Sequence, residues 1–278
     1  MKRRAFIAGA LGAGALGAQR AWSFPGTLAI VAQRLRDRTP FIARHPNERL
    51  PSASVIKLVI LAGIVREIDA RRLDWTDRIV IRTHEIVGSS ETFGGARPGS
   101  HASVRSLADA MIAESDNTAA NALADHLSFA RVNAVAESLG LSATRLRRHF
   151  MDFAARARGI DNTTSAADMG TLLLGIERGA RGMATRVAST AACRAMVDMM
   201  LRQEDRATIP AGIERHVPVA NKTGVLPDVR NDVAIVDPYG AGPYVVAILS
   251  HFDPRETDQA YPRLREIAAA VDELERRQ

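Results

Sequence analysis

The period of apolar positions changes twice along the chain. Residues 27–35 form an apolar, β-prone run, and residues 40–44 can follow it as a hairpin partner. From Ser54 onward the spacing becomes helical: Leu58, Leu61, Ala62 and Val65 stand three and four apart and define one buried stripe. Further helices are predicted over residues 104–114, 118–127, 132–139, 166–176 and 190–201. Ser165 followed three residues later by Asp168 gives the helix at 166 a start resembling a capping box. After Ile209-Pro210 the pattern returns to strands at 217–223, 232–237 and 244–249, and a closing helix carries Leu264, Ile267, Ala268, Val271 and Leu274 on one face. Strands at both ends with helices between them predict an α/β (α+β) fold in which the two termini assemble one sheet and a helical lobe is inserted. Residues 24–53 and 205–278 are assigned to the sheet lobe and 54–204 to the mainly helical lobe, and the cleft between them is the natural place for a site.

The first residues change the picture at one end. Lys2, Arg3 and Arg4 precede a small, apolar run over residues 8–18 that is too short and too glycine-rich for a membrane span. Residues 1–23 therefore read as a signal peptide, and the Arg3-Arg4 pair suggests twin-arginine export of a folded protein to the periplasm or the medium of a bacterium. Cleavage near Ser23 removes four basic residues and no acids, so the formal charge of +6 falls to +2. With scattered arginines and 5% aromatic residues, there is no basic, aromatic-laced face for a nucleic acid. A monomer acting on a small molecule is expected. The lone Cys193 cannot form an intrachain disulfide and reads as a buried structural thiol.

Lysine usage is sharper. The chain has three lysines against thirty-four arginines, and once the signal is set aside only Lys57 and Lys222 remain. Arginine stays protonated, whereas burial and neighbouring charge depress a lysine toward the neutral base. Both survivors fall in short motifs: Ser54-Val55-Ile56-Lys57 and Lys222-Thr223-Gly224, with Ser115-Asp116-Asn117 between them. Residues three apart on a helix share a face, so Lys57 is expected to reach the hydroxyl of Ser54. The helix N-terminus disfavours its ammonium form and favours an oxyanion beside Ser54, which makes Ser54 a candidate nucleophile. Gly224 on a strand lets a substrate backbone lie close to the sheet edge. The plainer alternatives are Ser54 as a helix cap, Ser115 and Asn117 as a polar turn, and Lys222 as a solvated strand residue.

Together the three motifs match the S-x-x-K, S-D-N and K-T-G set, and the chain resembles the class A β-lactamases and the wider penicillin-recognising family of β-lactamases and D,D-peptidases. The separations of 61 and 107 residues, Thr118-Ala119-Ala120-Asn121, Leu139-Gly140-Leu141 before Thr144-Arg145-Leu146, and Arg230-Asn231-Asp232 extend the resemblance over most of residues 24–278. It implies an antiparallel sheet flanked by helices and hydrolysis of β-lactams through an acyl-enzyme on Ser54. Lys57 would activate Ser54, Ser115 would carry a proton to the leaving nitrogen, and Lys222 would complete the catalytic set. Asn117, Thr223, Gly224 and Val225 would bind substrate, with the N–H groups of Ser54 and Val225 as oxyanion hole. Arg230 either helps to bind a carboxylate or points outward in a salt bridge, and Asp116 supports its own loop.

The chain also departs from that family. Class A enzymes place a glutamate after the T-R-L segment to position the deacylating water. Residues 138–176 hold no glutamate, and counting from Thr144 puts Phe150 in its place. Asp152, two positions later, is either a shifted base or a loop-anchoring carboxylate. Acylation should survive this loss better than deacylation. The family's helix ahead of the first strand has no room after cleavage near Ser23, so the C-terminal helix is expected to cover more of the sheet alone. The histidines, His45, His84, His101, His126, His149, His216 and His251, are dispersed without metal-ligand spacing, so no metal and no cofactor are predicted. Besides a β-lactamase, a D,D-peptidase or esterase using the same residues and a receptor acylated once by a β-lactam fit the motifs.

Overall fold

The computed structural model describes residues 22–277; the predicted signal lies almost wholly outside them. β1 (Thr27–Arg34) is followed by β2 (Ile42–Arg44) and β3 (Leu50–Pro51). A 3-10 turn, Ala53–Ile56, leads into α1 (Lys57–Asp69). Next come β4 (Arg78–Val80), β5 (His101–Ser103), α2 (Val104–Ala113), α3 (Asn117–Leu127), α4 (Phe129–Ser138) and α5 (Phe153–Ala157). β6 (Thr163–Thr164), α6 (Ala166–Ala180), α7 (Thr190–Leu201) and α8 (Ile209–Gly212) complete the middle of the chain. β7 (Val219–Leu226), β8 (Val229–Val236), β9 (Tyr244–His251) and α9 (Thr257–Arg276) close it.

Five strands from the two ends form one sheet in the order β2-β1-β9-β8-β7, and every pairing in it is antiparallel. The two-residue period sorts its side chains onto two faces. Leu28, Ile30, Ala234, Val236, Val246 and Ile248 meet Leu264, Ile267 and Val271 of α9. Full burial of such side chains stabilises by roughly 1.5–3 kcal/mol each. The C-terminal helix is not alone on this face, because Ile209 of α8 and the partly buried Trp22 and Phe24 pack beside it.

On the other face Ala29, Val31, Val233, Val245 and Ala247 join the large core of the helical region. α6 lies directly over this face, where a Cβ on Gly170 would come within 3.0 Å of Val31 Cγ1. A helix from the middle of the chain therefore lies against the sheet. α7 packs beside it, with Cys193 buried and its thiol pushed up to about 11 by burial.

Serine and aspartate caps set where the helices begin. Ser103, Asp116, Ser128, Ser165 and Ser189 each accept from a backbone N–H in the first turn that follows, worth about 1 kcal/mol apiece. Only half of the expected box at 165–168 forms. Ser165 accepts from the Asp168 N–H, whereas the Asp168 carboxylate accepts from Ala143 N and Thr144 Oγ1 and so fastens the loop beyond α4.

Candidate active site

Three segments distant in sequence converge at the edge of the sheet. Ser54 sits in the turn ahead of α1, entered through Ala53 at φ 45°, a left-handed conformation that costs a non-glycine residue about 1–2 kcal/mol. The turn is held in place by β7 and β8. β7 is the edge strand, and a Cβ on Gly224 would stand 2.9 Å from both Ser52 O and Ser54 N, so only glycine lets the strand lie this close. Across the pair from Gly224 is Asn231, whose Nδ2 donates to Pro51 O at 2.9 Å and Ser52 O at 3.1 Å. Ser54, Ser115, Asn117, Thr223 and the exposed Val225 line one cavity of about 340 Å³.

Ser115 occupies the turn between α2 and α3 with φ 62°. Asp116 holds that turn, accepting from Ala119 N as a helix cap and from Phe93 N, each at 2.8 Å. It supports its own loop, as the sequence suggests. Ser90 Oγ adds a second clamp by accepting from Asn117 N and Thr118 N at 3.0 Å.

The Ser115 hydroxyl lies between the two lysines. Lys222 Nζ donates to Ser115 Oγ at 2.9 Å and to Thr223 O at 2.9 Å, while Lys57 Nζ is 3.2 Å from the same Oγ. Lys57 also donates to Ser115 O at 2.6 Å and Asn117 Oδ1 at 2.8 Å. The hydrogen bond between Lys57 and Ser54 expected from their spacing is not formed in this arrangement. A fully buried amine takes the strongest acceptors in reach, here a carbonyl and an amide oxygen, and catalytic hydrogen bonds commonly tighten only when substrate is present.

Burial sets the charge state of both amines. Lys57 is fully buried; burial pushes it far below the usual lysine range, the charge of Lys222 pushes it further, and Asp116 only partly opposes. Burial brings Lys222 down to about 7, against the opposing Asp232 and Asp205 and with help from Arg230. Both shifts favour the neutral amine, the form of lysine that can accept a proton, and Lys222 is partly charged near pH 7.

For three further residues the structure chooses between the readings that the sequence left open or gives the surroundings that it did not. The Arg230 guanidinium is buried and grips the Asp205 carboxylate with two hydrogen bonds of 2.6 and 2.7 Å, while its Nε donates to Thr208 Oγ1. The salt-bridge alternative describes it, turned inward rather than outward, and Asp205 itself lines the cavity. Asp152 is exposed; it caps α5 by accepting from Ala155 N at 2.8 Å and is absent from the cavity lining. Phe150 is only 7% exposed, and its ring centre lies 4.7 Å from Lys57 Nζ. Asn121 fixes it there by accepting from Phe150 N at 2.8 Å. Phe150, Asn121, Asp205 and Asn231 act on the site from outside the three motifs; the Thr144 count pointed to Phe150, the segments that extend the resemblance contained Asn121 and Asn231, and nothing in the sequence singled out Asp205.

The histidines are not all dispersed in space. Among the described residues, His84 and His149 meet across Asp125, with their ligand atoms all within 4.8 Å of one another.

An antiparallel sheet whose edge-strand lysine meets, on one serine hydroxyl between two helices, a second buried lysine from the helix start that follows Ser54 defines the penicillin-recognising class of enzymes. The chain belongs to the β-lactamase enzyme family, whose model matches residues 18–274. A β-lactamase of Kitasatospora aureofaciens is 31% identical over 238 residues, covering 81% of this chain and 73% of that protein. Among solved structures, a β-lactamase of Sphaerobacter thermophilus superposes with a TM-score of 0.81 at 26% identity, covering 94% and 96% of the two chains. A point mutant of PBP-A, captured as an acyl-enzyme complex with penicillin G, also scores 0.81 at 26% identity, covering 91% of each chain.

Proposed function

We propose that the protein opens β-lactam rings through an acyl-enzyme on Ser54 and releases the product slowly. The supporting observation is the Ser115 hydroxyl placed between two buried lysines, 2.9 Å from one and 3.2 Å from the other, in a cavity shared with Ser54. Relatives named as β-lactamases and the penicillin-acylated PBP-A mutant support the same chemistry.

In this scheme the Ser54 oxygen attacks the lactam carbonyl carbon and its proton passes to the neutral amine of Lys57. The backbone N–H groups of Ser54 and Val225 receive the oxyanion. As the ring C–N bond breaks, the nitrogen takes the Ser115 hydroxyl proton, which Lys57 replaces across 3.2 Å. No proton is gained or lost overall, and Ser54 is left as an ester. Lys222 and Thr223 hold the substrate carboxylate, and Asn117 and the edge backbone at Gly224 hold its amide. Arg230 positions Asp205 rather than touching substrate.

Deacylation needs a water and a base. The phenyl ring of Phe150, packed over Lys57, can accept no proton, and Asp152 serves α5 as its cap. The ester therefore persists. Export through residues 1–23, and a lobe division with the cleft at the site, belong to the same proposal.

Rapid mixing with a chromogenic cephalosporin tests it. The expected trace is a burst of one equivalent per chain followed by slow steady turnover. Absence of a burst, with cleavage of D-Ala-D-Ala peptides or esters instead, would replace the β-lactamase reading with the peptidase one, and a burst without turnover would leave only a receptor.

A further inference from the structure

We propose that His84, Asp125 and His149 bind one divalent transition-metal ion of the zinc type, which fastens the segment carrying Phe150 to α3. The two imidazoles approach opposite oxygens of one carboxylate, His84 Nε2 at 2.7 Å from Asp125 Oδ2 and His149 Nε2 at 2.8 Å from Oδ1. Two imidazole nitrogens and a carboxylate oxygen form a donor set that suits zinc, and the exposed side at His84 leaves room for water as fourth ligand. Metal–ligand bonds of 2.0–2.2 Å place tetrahedral neighbours about 3.3 Å apart, so on binding the imidazole–carboxylate contacts of 2.7 and 2.8 Å lengthen by about half an ångström, while the ligand atoms, which now lie within 4.8 Å of one another, draw together around the ion. On binding, each neutral ring carries its proton on Nδ1 and offers the Nε2 lone pair to the ion.

The backbone around these ligands is fixed in advance. Asn121 lies one helical turn before Asp125 on the same face of α3, and its side chain grips a residue adjoining each histidine. Its Nδ2 donates to Glu85 O at 3.2 Å and its Oδ1 accepts from Phe150 N at 2.8 Å. Glu85 is itself buried and paired with Arg82, which steadies the turn bearing His84. On the other side the Phe129 ring stands edge-on to His149 with centres 5.0 Å apart. Little chain entropy remains to be lost when an ion enters. The site is separate from the β-lactam chemistry and stands whether or not that reading holds.

Equilibrium dialysis of the untagged, full chain against Zn²⁺, with metal counted by mass spectrometry, tests the proposal. One Zn²⁺ per chain is expected, falling to none in His84→Ala and in His149→Ala and remaining one in His126→Ala, which removes an exposed histidine next to the cluster. Mg²⁺ and Ca²⁺, which prefer oxygen ligands, should not compete. Zn²⁺ at a hundredfold excess over its dissociation constant should raise the melting midpoint by about 5–10 °C in the parent and not in His84→Ala. No bound zinc in the parent, or undiminished binding in the His84 and His149 variants, would overturn it.

Discussion

Replacing Phe150 by glutamate should turn a slow deacylation into a fast one. The change keeps the backbone clamp from Asn121, because that bond uses the Phe150 N–H. It sets a carboxylate close to the ring centre now 4.7 Å from Lys57 Nζ. At that separation and an effective dielectric of about 20, the attraction is about 3.5 kcal/mol. This strengthens the hold of Lys57 on its proton by roughly 400-fold. Two opposite effects follow. A water between the new carboxylate and the ester gains a general base, which contributes about 10²–10⁴ in rate. Lys57, with its proton held more tightly, becomes a poorer base for acylation at low pH. Losing the buried ring costs about 2–3 kcal/mol, less than truncation to alanine because glutamate refills much of the space. The assay is the decay of the acyl-enzyme after brief exposure to penicillin, alongside a thermal melt to show that the variant is folded. The expected result is a lifetime shortened about 100-fold or more and an acylation optimum moved upward in pH. A folded variant with an unchanged lifetime would refute the assignment of this position to deacylation.

Other expectations follow from the same geometry. Gly224→Ala brings a methyl group within 2.9 Å of Ser54 N and should lower the acylation rate about a hundredfold by disturbing the oxyanion donors; a rate within threefold of the parent would mean that β7 does not seat the turn. Lys222 is charged below about 7 and loses its proton above it, so kcat/KM for carboxylate-bearing β-lactams should fall as pH rises through 7 to 9. A profile that rises across that range would reject its role in carboxylate binding. Asp152→Asn keeps a good capping residue on α5 and should leave the acyl-enzyme lifetime unchanged, whereas a tenfold longer lifetime would restore Asp152 as a base.

The parts of the molecule legible in the sequence are those fixed by local period and local chemistry. The α7 bounds match residues 190–201, and α2 ends one residue early. The start of α4 at Phe129 escaped notice because Ser128 caps it at φ 74°, a turn that no apolar period announces. Short β3, β4, β5 and β6, of two or three residues each, are likewise too brief to show a period. The three motifs named five of the residues that line the cavity, Ser54, Ser115, Asp116, Asn117 and Thr223, because each works from a turn or a strand edge close to its own neighbours in sequence. What joins distant segments was not legible. The partners of Lys57, the pairing of Arg230 with Asp205 and the meeting of His84 with His149 all depend on how α3 and the sheet edge pack against loops before and after them. No spacing rule along one segment reports those contacts.

The most direct measurement is the intact mass of the protein after seconds of exposure to penicillin G, for the parent and for Ser54→Ala. The parent is expected to gain the full mass of one penicillin molecule, since ring opening expels no fragment, and to hold it through many minutes, while Ser54→Ala gains nothing. An adduct of equal size on the alanine variant, or none on the parent, would contradict the placing of the nucleophile at Ser54.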